Sequence, residues 1–210
     1  MIGTSGNIYH YPNRMGRIII LATEEILGRN GTNAILNLAG LSEFIDNYPA
    51  NNQNPDFSFE YISRLQNALE DFYGPRGGRG VALRIGRASF QHILRDYGSL
   101  FGLTDVAFRL LPLGAKLKVG AAAFADIFNK HTEQRVRVED KGKTLLWHIE
   151  RCPLCWERHS NSATCQMAVG LLQEALYWVS GGRTFNVEEI QCIAKGDSTC
   201  TIVIEKTPMS

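Results

Sequence analysis

The chain has 210 residues, 44% hydrophobic and 20% charged, which suffices for one packed domain and is too apolar for a disordered segment. A formal net charge of +1 leaves no electrostatic footprint for DNA, RNA or an anionic membrane, so non-specific nucleic-acid binding is excluded as a function class. The apolar run from Ile18 to Ala22 is closed at once by Glu24 and Glu25, too short for a signal peptide or a membrane span. The chain therefore reads as soluble and cytoplasmic.

The first two thirds carry helical periodicity. Ile18, Ile19, Ala22 and Ile26 share a helical face that Gly28 should end, and Ala34, Ile35, Leu38 and Ala39 predict a second short helix. Ile18, Ile19, Ile20, Leu21, Ile35, Leu36 and Leu38 cannot all face one narrow stripe. This predicts that the region within residues 1–75 adds contacts to a homodimer. The Asn- and Pro-rich stretch from Asp46 to Asp56 predicts a surface loop. Ser58 then caps a helix with Phe59, Ile62, Leu65, Leu69 and Phe72 on one face, and Gly74 to Gly80 breaks it. Further helices are predicted over Val81–Tyr97, Leu103–Leu111 and Leu117–Phe128.

Near residue 132 the period changes. Val136 and Val138 alternate with Arg135, Arg137 and Glu139, Asp140 to Lys143 supplies a turn, and Leu145 to Glu150 returns. A helix over Cys165–Ser180 and strands over Phe185–Ile193 and Thr199–Glu205 complete the chain. The fold class expected is α+β, with helices packed on one face of a small antiparallel sheet.

All five cysteines lie in the last third, and in a reducing compartment they read as metal ligands, redox groups or core filler rather than disulfides. Cys165 opens a predicted helix, Glu189 and Cys192 stand three apart near a strand end, and Cys200 begins the partner strand. Zinc takes thiolate, imidazole and carboxylate ligands, and this set offers four. In a regular strand Glu189 and Cys192 face opposite sides, so joint ligation predicts a bulge between them. Cys152-Pro153-Leu154-Cys155 is a separate CxxC that could serve as a redox pair, half of a second metal site or an accessory to the first.

Cys165-x4-Gly170, Gly181-Gly182-Arg183, Val187-Glu188-Glu189-x2-Cys192 and Gly196-Asp197-x2-Cys200 together resemble the vinyl-4-reductase domain, over about residues 145–205. Arg79-Gly80-x5-Gly86-Arg87 is similar to the stretch preceding that domain in stand-alone "hydrocarbon-binding" members. The resemblance assigns residues 76–206 to such a domain, forming one compact unit with the N-terminal helices. It implies a commonly dimeric fold similar to that of haem-based nitric-oxide sensors and small vesicle-tethering subunits. It also implies zinc at Cys165, Glu189, Cys192 and Cys200, with Cys152 and Cys155 as accessories, and a bound hydrophobic, aromatic or tetrapyrrole ligand.

Around this site the sequence offers Trp147, His148, Phe124, Arg84 and Arg87 as ligand-binding candidates, since aromatic groups line small-molecule pockets and guanidinium groups hold carboxylates. Gly114, Gly120 and Ala121–Ala123 leave room beside a helix for either a ligand or close packing. Gly74 to Gly80 lacks the Lys-Ser/Thr of a phosphate loop and reads as a helix connector. The leading expectation is a small-molecule binding module with a structural zinc, signalling through a separate partner. The alternatives are a bacteriochlorophyll-biosynthesis protein acting on a vinyl tetrapyrrole and an assembly subunit. No nicotinamide fingerprint supports catalysis.

Overall fold

Two long helices, each bent once at a glycine, frame the molecule. A computed structural model describes residues 8–98, 108 and 110–209. Helix α1 spans Asn13–Leu38 and α2 spans Phe59–Tyr97. Gly28 (φ 71°, ψ 166°) interrupts the first and Gly74 (φ 75°, ψ 162°) the second, conformations that side chains with a Cβ avoid. Pro75 follows at the first position of the new helical segment, where its missing N–H costs nothing. The expected breaks are thus single-residue kinks, and Gly77–Gly80 are helical. The boundary expected at residues 75/76 falls inside α2. The Ser58 side chain caps α2 as expected, accepting from Glu60 N at 3.2 Å.

Short strands β1 (His10–Tyr11) and β2 (Phe57–Ser58) pair antiparallel and close the ends of α1 and α2 together. Helix α3 spans Leu113–His131. The helix expected over Leu103–Leu111 lies almost wholly outside the described residues. The main sheet has strands β3 (Arg135–Asp140), β4 (Thr144–Arg151), β5 (Phe185–Gln191) and β6 (Cys200–Pro208), all antiparallel in the order β3-β4-β6-β5. Helix α4 (Gln166–Ser180) connects the two hairpins. The predicted hairpin over residues 135–151 forms, with Gly142 N donating to Asp140 Oδ1 at 2.9 Å in its turn.

One face of the sheet carries the core. Leu145, Trp147 and Ile149 of β4 stand beside Ile204, Ile202 and Cys200 of β6, all buried. Phe124 and Phe128 of α3 pack on Trp147, with ring centroids 5.7 and 6.3 Å away. Helix α4 lies beside α3 on this face, α2 packs over α4, and α1 packs on α2. Where α2 and α4 cross, Gly86 and Gly170 let the backbones touch. A Cβ on Gly86 would stand 2.0 Å from Met167 O, and one on Gly170 1.9 Å from Leu83 O.

The reason given for dimer contacts through residues 1–75 does not survive. Ile18, Ile19, Ile20, Ile35 and Leu36 are all buried within the chain, and Leu38 alone of the seven apolar residues named there is exposed. Helix α1 is apolar on several sides because the loop before α2, the β1–β2 pair and α2 itself enclose it. No described helix is long and apolar enough to cross a membrane.

Candidate metal centre and ligand cavity

The cysteines converge at one end of the core face of the sheet. Cys165 is the N-cap residue of α4, Cys200 opens β6, and Cys152 and Cys155 lie in the loop that leaves β4. The register between β5 and β6 slips between Glu189 and Gln191. This is the bulge the spacing required: Ile190 and Gln191 both turn to solvent, and Glu189 and Cys192 end up buried together. All five thiols are free and buried.

The side chains form two overlapping groups. In Cys152, Cys155, Cys165 and Cys200 the ligand atoms all lie within 4.8 Å of one another, and the same holds for Cys165, Glu189, Cys192 and Cys200. Sulfur–sulfur distances are 3.5 Å for Cys152–Cys165, 3.3 Å for Cys155–Cys200, 3.6 Å for Cys165–Cys200 and 4.0 Å for Cys165–Cys192. A tetrahedron with Zn–S bonds of about 2.3 Å has edges of about 3.8 Å, so these spacings suit a zinc-sized ion. Glu189 Oε2 accepts from Cys165 N at 2.7 Å, where the helix dipole favours an anion, while its buried Oε1 has no hydrogen-bond partner. Burial first, and then the charge at Cys192, raises the Glu189 carboxyl to about 8. Contacts among the thiols, that to Cys152 first, hold Cys165 and Cys200 well above the ordinary range and Cys155 below it. Such crowding does not let every thiol ionise unless a cation is present.

The loop carrying the CxxC is tied down by a polar stripe on α2. Ser63 donates to Trp156 O at 2.7 Å, Gln66 to Thr164 O, and Glu70 pairs with Arg158 at 3.1 Å. Positions 63, 66 and 70 share one helical face, and sequence reasoning missed their role. The available signal was a row of polar residues at helical spacing beside an apolar stripe. The Arg158 and Glu70 side chains are only 10% and 13% exposed, so truncating one strands the other. Arg158→Ala should therefore cost about 3 kcal/mol in a urea titration. Arg158→Met combined with Glu70→Leu should recover most of that loss. A single variant as stable as the parent would show that the pair does not hold the loop.

Next to the cysteines lies a cavity of about 50 Å³, where α1, α2, α3, α4 and β4 meet. Its walls are apolar, among them Met15, Ile19, Ile62, Ile93, Trp147 and Leu172. The polar exceptions include Tyr11, whose hydroxyl donates to Gln134 Oε1, and Ser89. Burial raises the Tyr11 pKa, so this hydroxyl stays protonated. Pro153 and Leu154, inside the CxxC, and Met167 and Ala168, just after Cys165, line the same cavity. The metal candidate and the cavity share a wall.

Of the five ligand-binding candidates, Trp147 lines this cavity. Phe124 instead borders a smaller one of about 30 Å³, with Gly120, Ala121 and Phe90. His148 follows Trp147 on β4 and so points to the other side of the sheet, where it meets Thr201 at 3.1 Å and Glu139 at 3.6 Å. Arg84 and Arg87 are exposed on α2, and Arg87 is bonded to Gln173 at 2.6 Å. These three residues do not reach the cavity, because a helix or strand position fixes which side its side chain takes. Ala122 is exposed and lines neither cavity.

No protein-family model matches the chain, and no curated protein does. Among solved structures, a doubly substituted Tt H-NOX aligns with TM-score 0.57 and 14% identity, covering 95% of this chain and 97% of that one. An H-NOX protein from S. oneidensis in the Fe(II)NO ligation state aligns with TM-score 0.57 and 12% identity over 92% and 99% of the two chains. The phenol-responsive sensory domain of the transcription activator PoxR, solved with phenol, aligns with TM-score 0.51 and 18% identity over 69% and 72%. A haem group does not fit the cavity as it stands: no histidine among the described residues lines it, and a macrocycle exceeds its volume. The chain thus has the α+β fold of H-NOX domains, helices packed on an antiparallel sheet, with a buried cysteine cluster beside its internal cavity.

Proposed function

We propose that the protein is a small-molecule sensor module of the vinyl-4-reductase type, which binds an apolar or aromatic ligand in the internal cavity and holds a structural zinc in the cysteine cluster. The observation that carries this reading is the wall shared by the two sites. Pro153, Leu154, Met167 and Ala168 touch the cavity, while Cys152, Cys155 and Cys165 beside them face the cluster. A ligand that presses on this wall presses on the metal site, and a filled metal site shapes the pocket. The fold likeness to a phenol-responsive sensory domain agrees with it. At about 50 Å³ the cavity is smaller than the engineered space of about 150 Å³ that accepts benzene, so entry needs Met15 or Met167 to swing aside. The Tyr11–Gln134 pair then supplies the polar anchor for a hydroxyl.

Calorimetric titration of the zinc-loaded protein with phenol, and with protoporphyrin in parallel, tests the reading. Phenol should bind, and Ala168→Val, which pushes methyl groups into the cavity, should weaken binding at least tenfold while costing less than about 1 kcal/mol of stability. Phenol binding unchanged by Ala168→Val, or absent in the parent, would overturn the proposed pocket. A porphyrin-like absorption band with no phenol binding would favour the tetrapyrrole alternative, which a neighbour of the same fold described by haem redox potential and porphyrin distortion suggests.

A further inference from the structure

We infer that the cluster is built for two divalent metal ions, with Cys165 and Cys200 bridging them. Cys152 and Cys155 complete one tetrahedron, and Glu189 and Cys192 complete the other. The inference rests on reading the cluster as a metal site and deepens it by assigning stoichiometry and ligand roles.

The two ligand groups have Cys165 and Cys200 in common and differ in the remaining pair. Two tetrahedra that share an edge have this composition. The shared edge, Cys165 to Cys200, measures 3.6 Å, close to the value of about 3.8 Å for a zinc tetrathiolate. Cys152 stands 3.5 Å from Cys165, and Cys155 stands 3.3 Å from Cys200. Cys192 stands 4.0 Å from Cys165.

Single occupancy leaves donors stranded. One ion among the four cysteines leaves Glu189, 7% exposed, with its unpartnered Oε1 and the Cys192 thiol beside it. One ion among Cys165, Glu189, Cys192 and Cys200 leaves Cys152 and Cys155 as buried thiols against a completed thiolate site. Two ions use every donor, and Oε1 gains the partner it lacks while Oε2 keeps its bond from Cys165 N. Charge raises no objection. Five thiolates and one carboxylate around two divalent ions carry the same net charge as four thiolates around one. The thiol and carboxyl protons leave to solvent as the metal enters. Ile193 N donates to Cys200 Sγ at 3.3 Å, and Asp197 fixes the turn by accepting from Cys192 N at 2.8 Å, so the outer shell is in place. Soft thiolate donors in tetrahedral array select zinc, or cadmium as its spectroscopic substitute.

The full chain, loaded with zinc under anaerobic conditions and desalted, should show two zinc ions per chain by native mass spectrometry. The C152A/C155A and E189Q/C192A variants should each hold one. Because those variants can fail to fold, the parent chain loaded with cadmium-113 supplies the second readout. It should give two NMR resonances, one for a four-sulfur site and one for a three-sulfur, one-oxygen site, with scalar coupling through the bridging sulfurs. One ion per chain and a single resonance would overturn the two-metal centre and leave the metal reading intact. Two uncoupled resonances would overturn the bridge. No bound metal would overturn both.

Discussion

Stripping metal from the anaerobically purified protein should lower its melting temperature by about 10–20 °C, equivalent to about 5 kcal/mol for a chain of this size. The cluster joins segments that no disulfide links: the N-terminus of α4 at Cys165, the β5–β6 hairpin at Cys192 and Cys200, and the loop after β4 at Cys152 and Cys155. With the ion removed, five buried thiols and a buried carboxyl crowd one another, and their contacts and burial hold Cys165, Cys200 and Glu189 in their uncharged forms. The core elsewhere survives, which is why the loss is smaller than the complete unfolding seen when zinc fingers lose their metal. Differential scanning calorimetry with and without chelator reads the effect, and added zinc should restore the original midpoint. An unchanged midpoint in a sample shown to have lost its metal would mean that the cluster does not hold these segments together.

Gly170→Ala and Gly86→Ala should each destabilise the protein by about 3 kcal/mol or more, in the upper range of overpacking effects. The added methyl would stand 1.9 Å from Leu83 O in the first case and 2.0 Å from Met167 O in the second. These are backbone atoms of a facing helix, so no side chain can rotate away; α2 and α4 must separate along their crossing. Gly80→Ala is the control. Its Cβ meets nothing within 4 Å in the same helix α2, and the change should stabilise by about 0.5–1 kcal/mol. Urea titrations of the three variants give the comparison. Gly170→Ala as stable as Gly80→Ala would show that the helices are not in backbone contact there. Gly86 also lines the cavity, so its variant should lose phenol affinity, whereas Gly80→Ala should not.

Residues close in sequence were legible. The period-2 alternation around Val136, the Asp140–Lys143 turn and the Ser58 cap depend on neighbours a few positions away, and each forms where its pattern places it. The bulge after Glu189 was also legible, since Glu189 and Cys192 cannot share a face of a regular strand. Gly28 and Gly74 were readable as interruptions but not as kinks. Whether a glycine ends a helix or bends it depends on what the next segment packs against, and for both segments that partner is distant in the chain.

The inventory is readable from the chain alone: an α+β order of elements, a core face on each, and five cysteines together with Glu189 in the last third. Periodicity, turn chemistry and donor type are local properties, so they are written in the chain. The tertiary structure alone decided how that inventory is shared. It enclosed Ile18–Ile20 within one chain, turned His148, Arg84 and Arg87 away from the cavity, and gave Cys152 and Cys155 a full place beside Cys165 and Cys200. It also set Gly86 of α2 against Met167 and Gly170 of α4 against Leu83, and laid Ser63, Gln66 and Glu70 under the CxxC loop. The physical reason is common to all of these: which faces meet, and at what distance, is set by packing between segments 80 or more residues apart in several of these pairs, and no local pattern encodes that separation.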